Sequence, residues 1–338
     1  FNLVTSDGGT TWYGYEEVDY SIVGSNYNIF TWGANDHGTL GLNSVVNYSS
    51  PVQLTGSTWT DGTSGGQNHR NGTSFFRKSD GTAWIWGDNN QGCLGLNSVT
   101  DYSSPVQLGT ETTWGYCFAG GYQTGASKTD GTLWTWGVGA QGSNYNVGPG
   151  RRSSPCQIPG TDWSSDPYMC SFSYSGGGAI RTDGTLWLWG ANNYGHLARN
   201  NTTNGPGVSS PIQVGSGTDW SRIFAGHLHR MAMKTDGTLW GWGANNNGRI
   251  GDNSTVYRSS PVQIPGTWSS FSSSSYQGFG IKTNGTLWAW GVNEKGQLGI
   301  NDTTEYSSPK QIPGTNWKQV YSGLLNSSYN HTSAVKTD

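Results

Sequence analysis

Six histidines, His37, His69, His196, His227, His229 and His331, are the side chains in this sequence best suited to proton transfer or metal ligation near neutral pH. His69, His229 and His331 stand at similar places ahead of a recurring AIKTD-like segment, a register that brings them toward one face of a repeated structure. That register would allow a metal site at that face, and the favoured reading is polar side chains that satisfy turn backbones. The run Glu16, Glu17 and Asp19 offers neighbouring carboxylates but has no partner base nearby in sequence, which favours a solvated loop over acid–base chemistry. Asp252 with Asn253, and Asn301 with Asp302, have the composition of calcium ligands without the spacing of an EF-hand loop. The glycines from Gly137 to Gly139 precede no helix, so they form no phosphate cradle. Sequons such as Asn71-Gly72-Thr73 arise by chance in so Asn- and Thr-rich a chain. No catalytic, cofactor-binding or metal-binding set emerges, and the chain is expected to be non-enzymatic and cofactor-free.

The elements that hold these residues are built around tryptophan. Eleven of the 18 tryptophans fall in six copies of one pattern: Trp134 and Trp136 in TLWTWG, the pairs Trp84/Trp86, Trp187/Trp189, Trp240/Trp242 and Trp288/Trp290, and Trp32 in IFTWG. The other seven, Trp12, Trp59, Trp114, Trp163, Trp220, Trp268 and Trp317, stand alone at intervals of 47 to 57 residues. A period near fifty that runs from end to end indicates a propeller or solenoid and a single domain over residues 1–338. Each unit reads as a lone Trp, a turn-rich stretch, a strand such as GFGIKT, a tight turn, a strand such as LWAW, a long loop, and a strand beginning SSPVQ. The tight turn is Asp-Gly at 80–81, 130–131, 183–184 and 236–237 and Asn-Gly at 284–285, which predicts a two-residue type I′ hairpin. In LWTW the strand period of two places Trp134 and Trp136 on one face and Leu133 and Thr135 on the other, as in a sheet packed on both sides. Glycine punctuates every element and no helical stripe recurs, so the fold class is all-β. Seven four-stranded antiparallel units predict a seven-bladed β-propeller.

The segments KTDGTLWGWGANNNGRIG and KTNGTLWAWGVNEKGQLG, with the SSPVQ run and the Asp-Gly hairpin in fixed order, resemble the repeats of the RCC1 family over essentially the whole chain. The resemblance implies a seven-bladed propeller, in agreement with the strand count. Counting strands leaves the seventh blade short. Asn2 to Val4 are expected to close it beside Trp317 to Asp338, so that both termini share one blade. A last strand is expected beyond Asp338, or from a strand-donating or homo-oligomeric neighbour.

Net charge is −3 and only 12% of residues are charged, which leaves no basic stripe for nucleic acid. No apolar run approaches the roughly 20 residues of a membrane helix, so no membrane insertion is expected. Cys117 and Cys156 occupy apolar positions of the repeat and read as small hydrophobes; the disulfide status of these and of Cys93 and Cys170 stays open. The ladder tryptophans belong to packing. Aromatic and charged residues that break register, or lie on loops that differ between units, are the candidate ligand-binding groups: Tyr13, Tyr15, Glu16, Glu17, Tyr145, Arg151, Arg152, Tyr168, Tyr174 and Tyr194. The most divergent loops run from 138 to 152 and from 191 to 208. Low charge and polar loops point to a recognition or structural module that binds a protein or glycan outside cells or on a virion surface, similar to RCC1-repeat proteins of bacteria and phages. Two alternatives are a glycan-active enzyme with paired carboxylates and the nucleotide-exchange activity that the resemblance implies. The latter resembles an activity that needs an inserted wedge and a basic tail, for which the repeat spacing and the charge pattern leave no place.

Overall fold

The computed structural model describes residues 2–5, 13–15, 27–65, 72–120, 123–138, 151–173, 176–201, 207–226, 228–322 and 332–337. These residues form seven antiparallel sheets, six of four strands and one of two. The second sheet displays the pattern: Trp59–Gly65, Thr73–Lys78, Ala83–Gly87 and Tyr102–Gln107, each paired with the next. The SSPVQ strand is always at the sheet edge, where a proline removes no ladder hydrogen bond. Two compact units divide the chain, Phe1–Ala140 with Pro149–Pro167, and Gln141–Gly148 with Tyr168–Asp338. The first contains three sheets and the second contains four.

The tryptophan register is borne out. Lone Trp59 meets Trp84 and Trp86 edge-on at 6.3 and 6.1 Å, Trp114 meets Trp134 and Trp136 at 6.4 and 6.1 Å, and Trp220 meets Trp240 and Trp242 at 6.4 Å each. Such edge-to-face pairs add about 0.5–1.5 kcal/mol each beyond area burial. The opposite strand face packs on the next sheet, so that Phe75 and Ile85 join Trp114 and Trp136 in one core. The same arrangement joins Leu188 to Trp220 and Trp242. The first tryptophan of each pair is only half-buried and lies beneath a cation: Lys78 Nζ stands 4.0 Å from the Trp84 ring and Lys282 Nζ 3.8 Å from Trp288.

The hairpin tips differ from the expected type I′. Gly81 has φ +80°, but Asp80 is not among the residues with positive φ. The Gly81 N–H donates to Lys78 O (2.9 Å) and the Lys78 N–H to Thr82 O (3.0 Å), a three-residue loop with a type I turn and a glycine bulge. The cause is the threonine after Asp-Gly. Asp80 Oδ1 accepts from the Thr82 N–H (2.9 Å) and hydroxyl (2.6 Å), and that hydroxyl in turn accepts from Trp84 Nε1 (2.9 Å). The relay recurs at Asp130, Asp183 and Asp236, and with neutral Asn284. Hydrogen bonds from the threonine hydroxyl and backbone hold all four carboxyls below the usual aspartate value. A depressed folded pKa stabilises above the unfolded value of about 3.9, and that contribution is lost as pH falls through the folded value. Changing all four aspartates to Asn, as at Asn284, is therefore expected to flatten the fall in melting temperature below about pH 4. An unchanged acid profile in the quadruple variant would contradict this role.

The first strand is also placed differently. Asn2–Thr5 pairs with Tyr13–Tyr15 on one side and with Asn28–Gly33 on the other, so it occupies the second position of the first sheet. It does not join Trp317–Ser322 and Thr332–Lys336, which form a two-stranded sheet among the described residues. The ladder Leu3↔Phe30, Val4↔Ile29 and Thr5↔Asn28 gives this β-prone segment partners on both edges. Residues 16–26 lie outside the described residues. None of the four cysteines, all of which are among the described residues, is joined in a disulfide. Burial pushes Cys93 up to about 12 and Cys117 well above its ordinary value, as befits inert core groups.

Candidate functional site

The loop between the third and fourth strands is built on a fixed frame. An asparagine two residues past the strand's Trp-Gly folds its amide into the loop. Asn245 Oδ1 accepts the buried Ile250 N–H (3.0 Å), while its amide group donates to Ser254 O (2.9 Å) and Val256 O (3.2 Å). Asn35 and Asn89 repeat this on Leu40, Ser44 and Val46 and on Leu94, Ser98 and Thr100. The loop then docks on the edge strand of the next sheet, through Asn43 N–H to Ser103 O (2.6 Å), Asn97 to Ser153 O, Asn200 to Ser259 O and Asn253 to Ser307 O. Close approach explains Gly38, whose φ is +73° and whose added Cβ would lie 2.3 Å from Ser103 Cα. The second tryptophan of the next sheet locks the loop from below: Trp136 Nε1 donates to Cys93 O (2.7 Å), and Trp242 Nε1 to His196 O (2.8 Å). The sequence carries this frame as the letters WGxNxxGxLG, but the asparagine's role was missed because it exists only once the loop has closed around it.

On this frame sit variable residues that bridge adjacent loops. Within the first unit His37 Nδ1 lies 2.8 Å from Asp101 Oδ2, and Arg151 donates to Gln91 Oε1 at 2.8 Å. Within the second, Tyr194 meets Tyr257 edge-on at 5.5 Å and Asn247 reaches Glu305 at 3.4 Å. These pairs stand at equivalent repeat positions with four different chemistries.

Arg151 and Tyr194, two of the expected ligand-binding residues, thus belong to this bridging series. Tyr194 also contacts the buried His196 ring at 5.7 Å. Tyr168 instead lies under Arg222, 4.2 Å from ring centre to guanidinium, and Arg152 is exposed on the edge strand. Tyr13 and Tyr15 lie on the strand Tyr13–Tyr15, whereas Glu16, Glu17, Tyr145 and Tyr174 lie outside the described residues, as do His69 and His331. His229 is buried and its Nε2 lies 2.9 Å from Ser273 Oγ. Asp252 is engaged by Arg258 Nε (2.6 Å), Asn245 and the Ser254 hydroxyl (2.9 Å), which makes it a loop strut. Asp302 accepts from the Thr304 N–H and the Tyr306 hydroxyl (2.9 Å each).

Two charged groups are buried in these loops. Arg249 lies over the Tyr276 ring at 4.4 Å and donates to Asn246 Oδ1 (2.8 Å), Asn247 Oδ1 (3.0 Å) and Ser275 O (3.1 Å); burial draws its guanidinium below the ordinary value. Asp88 is 2% exposed, and burial raises its carboxyl pKa, with the neighbouring Asp101 acting in the same direction and Asn90 and His37 opposing. The hydrogen bond to Asp101 raises the pKa of His37.

A family model described as the regulator of chromosome condensation (RCC1) repeat matches residues 28–69, 80–127, 183–233, 236–276 and 284–334. The ultraviolet-B receptor UVR8 of Arabidopsis thaliana is 26% identical over 248 residues, which cover 71% of this chain and 54% of UVR8. The human probable E3 ubiquitin-protein ligase HERC3 is 33% identical over 88 residues, 25% of this chain and 8% of that protein. The chain therefore spans about half of the first relative and a small part of the second. Among solved structures, human WBSCR16 aligns with a TM-score of 0.70 at 17% identity, covering 91% of this chain and 81% of that one. Prp20p of Saccharomyces cerevisiae aligns with a TM-score of 0.50 at 16% identity over 92% of each chain. The likeness to WBSCR16 and Prp20p is one of fold.

Proposed function

Because the chain belongs to the RCC1-repeat family, we propose that it is a non-enzymatic recognition module that docks a protein on the loops joining its third and fourth strands. The observation that carries this reading is where apolar groups meet solvent. Val45, Val46, Val99, Val256 and Tyr257 are 59, 63, 52, 61 and 42% exposed, and all five stand at the tips of these loops. Val335 is the remaining large exposed hydrophobic side chain among the described residues. Isolated exposed valines need no explanation, but within each unit their confinement to equivalent loop tips, Val45, Val46 and Val99 in the first and Val256 and Tyr257 in the second, marks those tips as contact surfaces. The asparagine clamp supports the reading too, because a loop held rigid before binding loses less entropy on docking. Yeast Prp20p, which shares the fold, has binding properties towards Gsp1p and histones and has been solved with Kap60. The partner of the present chain sits on a cell exterior or virion surface in this reading, which the scarcity of charge and the abundance of Ser, Thr and Asn in the loops support.

Capture from surface-protein extracts, together with a glycan array, tests it. The triple substitution Val46→Asp, Val99→Asp and Val256→Asp is expected to cut retention of the protein ligand at least about tenfold while the melting temperature holds. Threonine at the same positions, as found at Thr100 and Thr255, controls for folding. Equal retention by the aspartate variant would sink the loop-face reading. Glycan signals lost in that variant would replace the protein partner by a glycan, and accelerated nucleotide release from a small GTPase would favour a regulatory role.

A further inference from the structure

Between the first and second sheets, the loop bridge carries a third group. His37 Nδ1 and Asp101 Oδ2 are 2.8 Å apart, and Asp88 completes a set of three ligand groups whose atoms all lie within 4.8 Å of one another. The His37–Asp101 contact alone is one more member of the series that includes Gln91–Arg151 and Asn247–Glu305, and it requires no ligand. Asp88 is of another kind. Its position directly follows the strand's Trp-Gly, where the other units have Ala34, Val138, Ala191, Ala244 and Val292. A carboxylate that is 2% exposed, stands where every other unit has Ala or Val, and faces a second carboxylate is costly to bury for packing alone.

We propose that His37, Asp88 and Asp101 form a binding site for one divalent transition-metal ion of the zinc class, which ties the loop of the first sheet to that of the second. Two carboxylates neutralise a dication and an imidazole adds the nitrogen donor that favours zinc-like ions over magnesium or calcium. Zinc sits about 2.0–2.2 Å from such ligands, which sets them roughly 3–3.5 Å from one another. Only a small closure is needed, and the half-exposed side chains of His37 and Asp101, at 34 and 38%, have room to turn. The outer hydrogen bonds that orient ligating carboxylates are already present: the Asn89 N–H donates to Asp101 Oδ1 (2.7 Å) and the Asn90 N–H to Asp88 Oδ1 (2.9 Å). Three protein ligands leave a fourth position for water. The sequence gives no sign of the site, because Asp88 and Asp101, at the two ends of the next sheet's loop, lie 51 and 64 residues downstream of His37.

The test is titration of the chelator-treated chain with Zn²⁺, read by calorimetry and thermal melting. One ion per chain and a rise in melting temperature are expected, with no rise from Mg²⁺. The variants come from the other units: His37→Gln as at Gln91, Asp88→Ala as at Ala34 and Asp101→Asn as at Asn47. Each is expected to melt near wild type without metal and to lose at least about tenfold in Zn²⁺ affinity. Asp88→Asn, which keeps the shape, stands in if the alanine variant melts early. The proposal is overturned by the absence of saturable binding up to about 1 mM Zn²⁺, or by one-to-one binding that Asp88→Ala and His37→Gln leave unchanged.

Discussion

Trp136→Ala is expected to lower the unfolding free energy by about 3–5 kcal/mol, the usual cost of a large buried aromatic deletion. The ring is fully buried, meets Trp114 edge-on at 6.1 Å and lies 5.9 Å from Phe75 of the preceding sheet. Its Nε1 also donates to Cys93 O at 2.7 Å, so alanine leaves a cavity and removes one of that carbonyl's two donors, the other being the Thr124 hydroxyl at 2.8 Å. Trp136→Phe separates the two effects. It keeps most of the packing and removes one of the carbonyl's two donors, and a loss of about 0.5–1.5 kcal/mol is expected. Urea denaturation followed by far-UV circular dichroism reads both. A loss below about 1 kcal/mol for the alanine variant would show that the ring is not the joint between the two sheets.

Asn245→Ala is expected to cost about 2–3 kcal/mol and to loosen one recognition loop selectively. The side chain is fully buried and satisfies the Ile250 N–H as well as two loop carbonyls, those of Ser254 and Val256. Alanine strands the buried Ile250 N–H and leaves the Ser254 and Val256 carbonyls of the exposed tip to water. Asn245→Asp keeps the acceptor for Ile250 but removes the donors and sets a second carboxylate against Asp252, which already receives the amide at 3.0 Å. It is expected to be no better than alanine. Hydrogen exchange at the Ile250 amide is the direct measure. Protection that survives in the alanine variant would mean that the loop holds its shape by other contacts, and the rigidity attributed to the recognition face would then lack its cause.

Much of the architecture was legible because the tryptophans obey the strand period. Trp134 and Trp136 had to share a face, and both meet Trp114. The hairpins were legible in place but not in type. Asp-Gly alone predicts a two-residue turn, whereas the Thr82 and Thr132 hydroxyls draw the aspartates into a three-residue loop. The first strand misled for a different reason. Asn2 to Val4 resemble an edge strand in their spacing from Trp12, yet a short apolar segment pairs wherever two open edges admit it, and the structure puts it beside Phe30. Of the candidate ligand-binding residues, Tyr194 and Arg151 were found as departures from the repeat and proved to bridge loops. Val46, Val99 and Val256 were passed over, since a valine in sequence carries no mark of exposure.

By itself the sequence determined the all-β class, the repeated unit and the packing role of the tryptophans, because these follow from periodicity, and periodicity is a property of the chain read along its length. The tertiary structure decided what lies across the gaps between sheets: which loop docks on which edge strand, which apolar tips meet solvent, and that His37 meets Asp88 and Asp101. Those contacts join residues some fifty positions apart or more, and side chains at such distances are brought together only by the packing of one sheet on the next.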